Sequence, residues 1–458
     1  MNPHNTPRLE ALGKVHFIGI GGVGMSAVAR IMVARGVPVS GSDAKDLPVM
    51  ADLAAAGARI AVGYAAGNLA DAQTVVAGSA IREDNPELAA ARQAGLPVLH
   101  RSQALAATMG DDTVVTVAGT HGKSTTTSMV TVLLRAAGLD PSFAVGANIP
   151  ALGVNAAHGT SGIFVAEADE SDGSFLNYRP RIAVVTNVEP DHLDYYGTAE
   201  AVYESFDRFT ALLPADGLLV ACADDAGALA LAERTRTRGN TRVVLYGTND
   251  AADVRLYDDG PGHVAVSAGG ARYGLSLQVP GRHNALNAAA AFAVALELGV
   301  DAASAAAGLA HFGGASRRFE LKGSARGVRV FDDYAHHPTE VRAALTAARS
   351  VAGGHKVHVL FQPHLFSRTR EFAAQFADAL NLADTALVLD IYPAREDPIP
   401  GVTSQLIADH LKEGGRLAGA ADAVETLAKA AEDGDVVLTV GAGDVTAYGP
   451  QIVEALRA

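Results

Sequence analysis

The chain has 458 residues, a length that favours about three domains of roughly 150 residues each. With 49% hydrophobic and 19% charged residues, it has enough apolar material for several cores and too little charge for a disordered chain. Its 50 acidic and 36 basic residues give a net charge of −14, which disfavours a nucleic-acid partner, and its one cysteine, Cys222, excludes an internal disulfide and a four-cysteine zinc site.

The apolar runs of the chain are too short to form a membrane-spanning helix, so we predict no membrane partner. None approaches the roughly 20 residues of a membrane-spanning helix. The longest, residues 285–298, is interrupted by Asn287 and Glu297 and predicts a buried helix. Residues 1–14 are polar and have no apolar signal core. We therefore expect a soluble, cytoplasmic protein with several domains.

Short β-branched runs alternate with alanine-rich helical stretches, which predicts parallel sheets covered by helices. In the first part of the chain the pattern predicts a strand, a glycine turn and a helix, followed by three more strands. These elements fall at residues 15–20, 25–35, 37–40, 74–77 and 97–99. Together they predict a small α/β domain over residues 1–107.

The same pattern predicts two further α/β domains, over residues 108–314 and 315–458. The second has strands at 113–118, 163–166 and 182–186, helices at 123–137 and 285–298, and antiparallel hairpins at 242–279, where Asp-Gly and Gly-Gly turns separate short strands. The pair Gly313 and Gly314 predicts a linker. The third domain has strands at 328–331, 357–361, 386–390 and 436–440.

A glycine-rich turn between the first strand and helix predicts a diphosphate site. Glycines there allow a tight turn and let backbone N–H groups approach a diphosphate at the helix N-terminus; here they are Gly19, Gly21 and Gly24. Asp43 follows about 20 residues later, as in a dinucleotide-binding fingerprint. Alone, the motif favours an NAD-dependent enzyme, but any nucleotide diphosphate could use it, and so could a purely structural turn.

A second glycine loop, residues 119–125, follows an apolar strand and opens a helix. Lys123 can reach the β- and γ-phosphates of ATP, and the Ser124 hydroxyl can ligate Mg²⁺. The loop is shorter than the general P-loop, whose first glycine would fall at Val117. A diphosphate turn and an ATP loop in separate domains disfavour a simple dehydrogenase.

Acidic residues follow two predicted strands of the second domain. Glu167 opens an acidic segment after one strand, and Glu189, Asp191 and His192 follow the next. Because ligands bind beyond the carboxyl ends of strands in open α/β sheets, these groups could complete a Mg²⁺ shell. The alternative is a solvated acidic loop, and imidazole is an unusual magnesium ligand.

Further polar clusters lie near the last predicted helix of the second domain and in the third domain. Asn284 and Asn287 open the apolar helix, where Asn284 would also be an acceptable N-cap. In the third domain, cationic and imidazole groups at strand ends suit a site for phosphates and carboxylates, although each could be an ordinary surface group; they include Arg317, Arg318, Asp333, His336, His337, His364 and Arg368.

Taken together, these motifs resemble the Mur ligases of peptidoglycan synthesis, over essentially the whole chain. The run from Asp332 to Glu340 and the later Gln362 to His364 run look like the alanine-adding branch of that family. The branch that recycles murein tripeptide is the close alternative. The resemblance implies a Rossmann-like UDP-binding domain, a central P-loop ATPase-like α/β domain with a small antiparallel sheet, and a C-terminal Rossmann-like α/β domain.

The resemblance also implies the chemistry. The lactyl carboxylate of UDP-N-acetylmuramate would attack the γ-phosphate of ATP, and the amine of L-alanine would displace phosphate from the resulting acyl phosphate. ATP and Mg²⁺ would be the cofactors, in a monomer or weak homodimer. An NAD-dependent oxidoreductase and a nucleotide-regulated binding protein are the alternatives from other classes.

Residue roles are implied for all three domains. Lys123, His192, Asn148 and Arg318 would be catalytic. The UDP-sugar would contact Gly21, Gly22, Val23, Gly24, Asp43 and Ser79. ATP would contact Gly119, Thr120, His121, Gly122, Lys123, Ser124, Thr125, Asn284, Asn287, Arg318 and Asp333. The metal would be held by Ser124, Glu167 and His192, and the amino acid by His336, His364 and Arg368.

Two positions depart from the family pattern. Phe206 stands where later-step Mur ligases carry a carbamylated lysine, which agrees with the alanine-adding branch and leaves the shell of a second metal incomplete. Leu365 stands where other members carry an arginine, which puts an extra substrate-facing cation there in doubt.

Overall fold

The computed structural model describes residues 7–239, 241–260, 263–394 and 396–458. The chain divides into two compact units: one runs up to Leu277 and includes Leu286–Gly313, and the other comprises Gln278–Ala285 and Gly314–Ala458. The division after Gly313 falls within the predicted glycine linker. The three domain boundaries predicted above stay predictions.

The first sheet of the larger unit is parallel throughout, with strand order β3-β2-β1-β4-β5. Its strands are β1 Val15–Ile18, β2 Val39–Asp43, β3 Arg59–Val62, β4 Thr74–Ala77 and β5 Val98–His100, and its helices are α1 Val23–Ala34, α2 Pro48–Ala55, α3 Pro86–Gln93 and α4 Arg101–Met109. The order reverses between β1 and β4, and in such sheets ligands bind at this switch point. The predicted strand at 37–40 begins at Val39 instead, because Pro38 has no N–H for the ladder.

The second sheet has the order β15-β14-β13-β12-β11-β10-β6-β9-β7-β8. Its strands are β6 Thr113–Ala118, β7 Ser142–Ile149, β8 Val154–Ala157, β9 Ile163–Glu167, β10 Ile182–Val185, β11 Leu218–Cys222, β12 Arg242–Gly247, β13 Val254–Asp258, β14 Val264–Ala268 and β15 Ala271–Leu275. The helices of this part are α5 Lys123–Ala136, α6 Leu193–Tyr196, α7 Ala199–Thr210, α8 Ala226–Arg238, α9 Arg282–Glu297 and α10 Ala302–Leu309.

The antiparallel prediction for residues 242–279 is confirmed for β13, β14 and β15 and wrong for β12. Strand β12 lies parallel to β11, with Leu218 opposite Arg242, because it extends the central parallel ladder before the chain turns into hairpins. The buried centre of this sheet, strands β6, β10 and β11, holds the loops that carry the candidate site at their carboxyl ends.

The sheet of the smaller unit has the order β16-β17-β21-β18-β19-β20. Its strands are β16 Glu320–Ala325, β17 Val328–Asp333, β18 Val357–Phe361, β19 Thr385–Val388, β20 Gly415–Leu417 and β21 Val436–Val440, and its helices are α11 Pro338–Ala352, α12 Phe366–Leu380, α13 Gln405–Ala408, α14 Ala420–Ala430 and α15 Tyr448–Arg457. The hairpin β16–β17 is antiparallel and the other pairs are parallel.

Both faces of this third sheet are covered. Along β21, Val436, Leu438 and Val440 face one hydrophobic core, and Val437 faces the other. A strand buried on both faces is expected in a parallel sheet with helices on each side. The predicted α/β fold class is therefore confirmed. Among the described residues, no helix is both long and apolar enough to span a membrane.

Candidate active site

The glycine turn after β1 brings three elements of the first sheet together. The Gly21 N–H donates to Asp43 Oδ2 over 3.0 Å, and a Cβ at Gly21 would lie 2.5 Å from Leu47 Cδ1. A Cβ at Gly24 would lie 2.7 Å from Arg101 Nη1. The glycines thus allow close approach of Asp43 and Arg101 to the start of α1, where Gly22 is the N-cap and Val23 is exposed.

Arg101 is a residue that the sequence reasoning missed. It begins α4, far from the turn along the chain, yet its guanidinium lies against Gly24 and 3.8 Å from the Asp169 carboxylate. A cation beside a glycine turn at a helix N-terminus is what a diphosphate requires. The sequence feature that could have indicated Arg101 is a basic residue directly after a predicted strand.

Ser79 lies in a cavity of about 700 Å³ in the larger unit. Its Oγ is 3.1 Å from His100 Nε2 and donates to Asp172 Oδ2 over 3.1 Å. The wall also includes Tyr195, Tyr196 and Arg208. A cavity of this size with a few convergent polar groups can enclose a small ligand such as a sugar nucleotide.

The loop between β6 and α5 is held by the end of β10. The His121 N–H donates to Asn187 Oδ1 over 2.7 Å, and the Glu189 N–H donates to Thr120 Oγ1 over 2.9 Å. Gly119 has φ +136°, and a Cβ there would clash with the Thr186 hydroxyl. These contacts hold the loop against the end of β10, and Ser124 and Thr125 are buried in the first turn of α5.

Asn287 lies beside this loop, as predicted for a residue of the ATP site. Gly122, the N-cap of α5, has φ +82°, and a Cβ there would lie 2.9 Å from Asn287 Oδ1. Asn284 is not an N-cap, and that interpretation was wrong. Helix α9 already begins at Arg282, so Asn284 lies in its first turn and donates through Nδ2 to the Pro280 carbonyl over 2.6 Å.

Lys123 points back into its own loop. Its Nζ donates to the Gly119 carbonyl over 2.8 Å, to the Thr120 carbonyl over 3.1 Å and to Glu170 Oε1 over 2.8 Å. Burial lowers the pKa of this ammonium, but the carboxylates of Glu170 and Asp169 outweigh burial and hold the pKa above its usual value. Lys123 therefore carries its charge at the point where nucleotide phosphates bind in such loops.

Glu170 is the second residue that the sequence reasoning missed. Its Oε1 lies 2.8 Å from Lys123 Nζ and 3.7 Å from His192 Nε2, so it joins the lysine of one loop to the imidazole of another. Burial and the neighbouring Asp169 outweigh the attraction of Lys123 and raise the pKa of Glu170 to about 7. The sequence feature that could have indicated Glu170 is its place in the acidic segment after β9, but that segment holds other carboxylates as well.

The predicted metal residues end up at one edge of the second sheet. Glu167 is the last residue of β9, and its Oε2 accepts from the Gly146 N–H over 2.8 Å. His192 has a left-handed backbone, φ +55°, and its Nε2 lies 3.6 Å from Asp191 Oδ2. Asn148 is exposed near the end of β7, and its predicted contact with the reacting phosphoryl group stays a prediction.

Phe206 belongs to an aromatic core of the larger unit. It lies on α7, is fully buried and packs edge-to-face on Phe175 with ring centroids 5.4 Å apart. Phe175 in turn stacks on Phe209 at 4.8 Å. Position 206 therefore contributes to this aromatic core.

In the smaller unit, Arg318 and Asp333 are neighbours. Asp333 accepts from the N–H groups of Phe319 and Ala335, each over 2.8 Å, and burial raises its pKa to about 6 against the opposing charge of Arg318. The Arg318 guanidinium lies 5.0 Å from the centre of the Tyr334 ring. Their predicted contact with ATP stays a prediction.

The three residues predicted to bind the amino acid come together. The His336 and His364 rings are 5.9 Å apart, and Arg368 Nη1 lies 3.5 Å from His364 Nδ1. Arg368 is 6% exposed, so its guanidinium is held inside the unit. Leu365 between them is buried with φ +71°, and it supplies no cation.

Comparison with known proteins covers nearly the whole chain. Residues 14–113 match the Mur ligase family, catalytic domain, residues 117–295 match the Mur ligase middle domain, and residues 317–443 match the Mur ligase, glutamate ligase domain. The chain belongs to the Mur ligase family. The family predicted from the sequence is confirmed, and the three sheets described above correspond to the three matched segments of this Mur ligase.

Two similar proteins have names that are more specific than the name of the family. The UDP-N-acetylmuramate–L-alanine ligase of Paenarthrobacter aurescens (strain TC1) is 79% identical over 448 residues, with 98% of each chain covered, and that of Arthrobacter sp. (strain FB24) is 81% identical over 450 residues, with 98% of this chain and 96% of the relative covered.

Solved structures of the family confirm the three-domain α/β architecture. The UDP-N-acetylmuramate-alanine ligase of Thermotoga maritima has a TM-score of 0.77 at 29% identity, and a murein peptide ligase of Psychrobacter arcticus 273-4 has 0.72 at 26% identity; each comparison covers 97% of this chain and 99% of the other.

Proposed function

We propose that this Mur ligase joins L-alanine to the lactyl carboxylate of UDP-N-acetylmuramate, with conversion of ATP to ADP and phosphate, in the synthesis of peptidoglycan precursors. The substrates come from the names of relatives that share about four-fifths of its residues over nearly the full length. The observation that carries the chemistry is the Lys123 ammonium, which lies inside the Gly119–Gly122 turn and beside Glu170. Membership in the family over all three segments argues against the NAD-dependent oxidoreductase.

Activation of the carboxylate is the first step. A lactyl carboxylate oxygen attacks the γ-phosphorus of ATP, the bond to the β-phosphate oxygen breaks, and ADP leaves. Catalysis of such transfers is mostly positioning and charge stabilisation. Lys123 supplies a fixed positive charge, and the N–H groups at the start of α5 face the phosphates in a loop of this kind.

Amide formation is the second step. The neutral amine of L-alanine attacks the acyl carbon and forms a tetrahedral intermediate whose nitrogen is positively charged. This nitrogen loses a proton to solvent, the bond from the carbon to the phosphate oxygen breaks, and inorganic phosphate leaves the amide product. We assign the alanine carboxylate to the cluster of His336, His364 and Arg368, because a buried guanidinium with two imidazoles suits an anion of that size.

Magnesium fits the residues at this edge of the second sheet. The Ser124 hydroxyl and the Glu167 carboxylate are oxygen donors of the kind that Mg²⁺ prefers, and His192 adds a nitrogen. The Oε2 atom of Glu170 is buried and has no hydrogen-bond partner among the described residues, which is a further sign that a cation belongs here. When bound, Mg²⁺ would neutralise the negative charge of the phosphates.

The UDP-sugar is assigned to the first sheet and the cavity beside it. The turn of Gly21, Gly22, Val23 and Gly24, with Arg101 next to it, suits the diphosphate, and the cavity at Ser79 has room for the rest. A cytoplasmic location and a monomer or weak homodimer stay predictions.

Phosphate release from ATP tests this function. We expect release only when both UDP-N-acetylmuramate and L-alanine are present, with UDP-N-acetylmuramoyl-L-alanine as the product detected by mass spectrometry. Release with the tripeptide L-alanyl-γ-D-glutamyl-meso-diaminopimelate in place of alanine would assign the chain to the recycling branch. Reduction of NAD without phosphate release would contradict the proposal.

A further inference from the structure

Three polar side chains form a continuous hydrogen-bonded chain on the wall of the cavity of about 700 Å³. His100 Nε2 lies 3.1 Å from Ser79 Oγ, which in turn lies 3.1 Å from Asp172 Oδ2. The direct distance from His100 Nε2 to Asp172 Oδ2 is 3.7 Å, too long for a hydrogen bond, so the Ser79 hydroxyl is the link. Because His100 ends β5 and Asp172 follows β9, this chain joins the first sheet to the second.

The other ring nitrogen of His100 caps a helix and thereby fixes the tautomer. His100 is the N-cap of α4, where its Nδ1 accepts from the Ser102 N–H over 3.3 Å and its own N–H donates to Gln103 Oε1 over 2.9 Å. A backbone N–H can only donate, so Nδ1 carries no proton and the neutral imidazole is protonated at Nε2. Burial lowers the pKa of His100, which keeps the ring neutral at neutral pH.

The tautomer sets the direction of the whole chain. His100 Nε2–H donates to Ser79 Oγ, so the Ser79 hydroxyl proton is directed to Asp172 and Ser79 Oγ keeps one lone pair. Asp172 Oδ1 accepts from the Ser174 N–H over 3.0 Å. Each carboxylate oxygen can accept two hydrogen bonds, so both oxygens of Asp172 can still accept another. This part of the wall therefore offers acceptors and suits a ligand that brings hydroxyl or amide N–H donors.

An exposed aromatic ring on the same wall also suits a sugar. Tyr195 is 56% exposed, and its ring packs edge-to-face on that of Tyr196 with centroids 4.9 Å apart. A pyranose has hydroxyl donors along its edge and an apolar C–H face that an aromatic ring can cover. A diphosphate, in contrast, would be repelled by the Asp172 carboxylate and suits Arg101 at the glycine turn. The two ends of a sugar nucleotide thus have different partners.

We propose that His100 is a positioning residue for the sugar of UDP-N-acetylmuramate: its Nε2 holds the Ser79 hydroxyl toward Asp172, so that Ser79 and Asp172 accept from the hydroxyl and acetamido N–H groups of the sugar. The proposal rests on the proposed function, which supplies the ligand. His100 acts through Ser79, whereas Asp172 contacts the sugar itself.

Two substitutions separate the cap from the contact with Ser79. His100→Asn keeps an N-cap side chain but places no donor at the position of Nε2, whereas His100→Gln places an amide donor there. We expect His100→Asn to raise the KM and the Kd for UDP-N-acetylmuramate about five- to tenfold, with kcat within about twofold and the KM for ATP unchanged. His100→Gln should restore the values of the unchanged protein. Alanine-dependent phosphate release gives kcat and KM, and calorimetry of the full chain with a non-hydrolysable ATP analogue gives Kd.

UDP, which lacks the sugar, is the control ligand. Calorimetry should show that His100→Asn binds UDP as tightly as the unchanged protein does, and an equal weakening for UDP and UDP-N-acetylmuramate would overturn the assignment to the sugar. His158→Asn is the matched control variant, since His158 Nδ1 lies 3.1 Å from another serine hydroxyl, Ser142 Oγ, outside the lining of this cavity. Its Kd for each ligand should equal that of the unchanged protein.

An unchanged KM and Kd in folded His100→Asn would overturn the proposal and leave His100 as an N-cap only, while alanine-dependent phosphate release by the same protein would leave the proposed function intact. If circular dichroism shows that His100→Asn does not fold, Asp172→Asn decides the question. That change puts a donor in place of an acceptor, so it should weaken UDP-N-acetylmuramate about tenfold and spare UDP; equal affinities would overturn the proposal. An absence of alanine-dependent phosphate release by the unchanged protein would separately contradict the proposed function.

Discussion

Two buried glutamates in the larger unit have opposite surroundings. Glu87, on α3 beside the first sheet, is fully buried, and both of its oxygens are paired. It contacts His16 Nε2 at 3.2 Å, Ser42 Oγ at 2.5 Å, Asn68 Nδ2 at 2.6 Å and the Ala65 N–H at 3.1 Å. Glu170 is almost as buried but has one paired oxygen and one orphan.

The pKa values of the two groups move in opposite directions. Burial raises the pKa of Glu87, but hydrogen bonds from His16, Ser42 and Asn68 outweigh burial, and the pKa is lowered. For Glu170, burial dominates over the attraction of Lys123 and raises the pKa to about 7. Two carboxylates of similar burial therefore differ in pKa because hydrogen bonds reach both oxygens of Glu87 and only one oxygen of Glu170.

Among the changes considered below, replacement of Lys123, the lysine that contacts Glu170, should have the largest effect. Replacing Lys123 by alanine removes the fixed charge at the transferring phosphoryl group, and we expect turnover to fall by about 10²–10³-fold. Alanine-dependent phosphate release measures the change. Near-normal release by a folded Lys123→Ala protein would contradict the assignment of the loop at 119–125.

Glu87→Gln should instead damage stability. The amide presents donors to groups that donate to Glu87 in the native protein, and we expect a loss of about 3 kcal/mol in the free energy of unfolding. Urea titration followed by circular dichroism measures it. Glu170→Gln is the matched comparison: an equal loss of stability there would remove the distinction between the two carboxylates.

The sequence predicts sites whose chemistry lies in consecutive residues. The loop from Gly119 to Thr125 and the glycine turn before α1 each lie between a strand and a helix, as predicted, because glycine, lysine and hydroxyl residues adjoin one another there. Glu170 was missed because the acidic segment after β9 has several carboxylates, and the sequence does not show which of them contacts Lys123. Arg101 was missed because its neighbour, Gly24, is distant along the chain.

Local rules also failed where tertiary contacts extend an element. Asn284 has the chemistry of an N-cap, but α9 begins two residues earlier, at Arg282. Strand β12 lies among hairpin signals yet joins the parallel ladder of β11. In both cases the sequence predicted the element correctly, and the error was in where the element begins or what it pairs with.

The pH dependence of stability should separate Glu170 from a non-titrating residue. Because its pKa is raised in the folded state, Glu170 binds a proton more tightly there than in the unfolded chain. The unchanged protein should therefore lose stability relative to Glu170→Gln as the pH rises from about 4.5 to about 7. Melting temperatures of the two proteins across this range measure the difference, and parallel curves would contradict the raised pKa.

Ser42→Ala should give the smallest effect and the opposite dependence on pH. The change removes one donor to Glu87 and leaves the contacts from His16, Asn68 and Ala65, so we expect a loss of about 1 kcal/mol near pH 7. Because the pKa of Glu87 is lowered in the folded state, its contribution is present above the unfolded value near 4.5 and is lost as the pH falls through the folded value. The unfolding free energies of Ser42→Ala and the unchanged protein should therefore differ at pH 7 and converge in acid. A difference that stays constant down to pH 3 in urea titrations would mean that the Ser42 hydroxyl stabilises the fold without acting on the charge of Glu87.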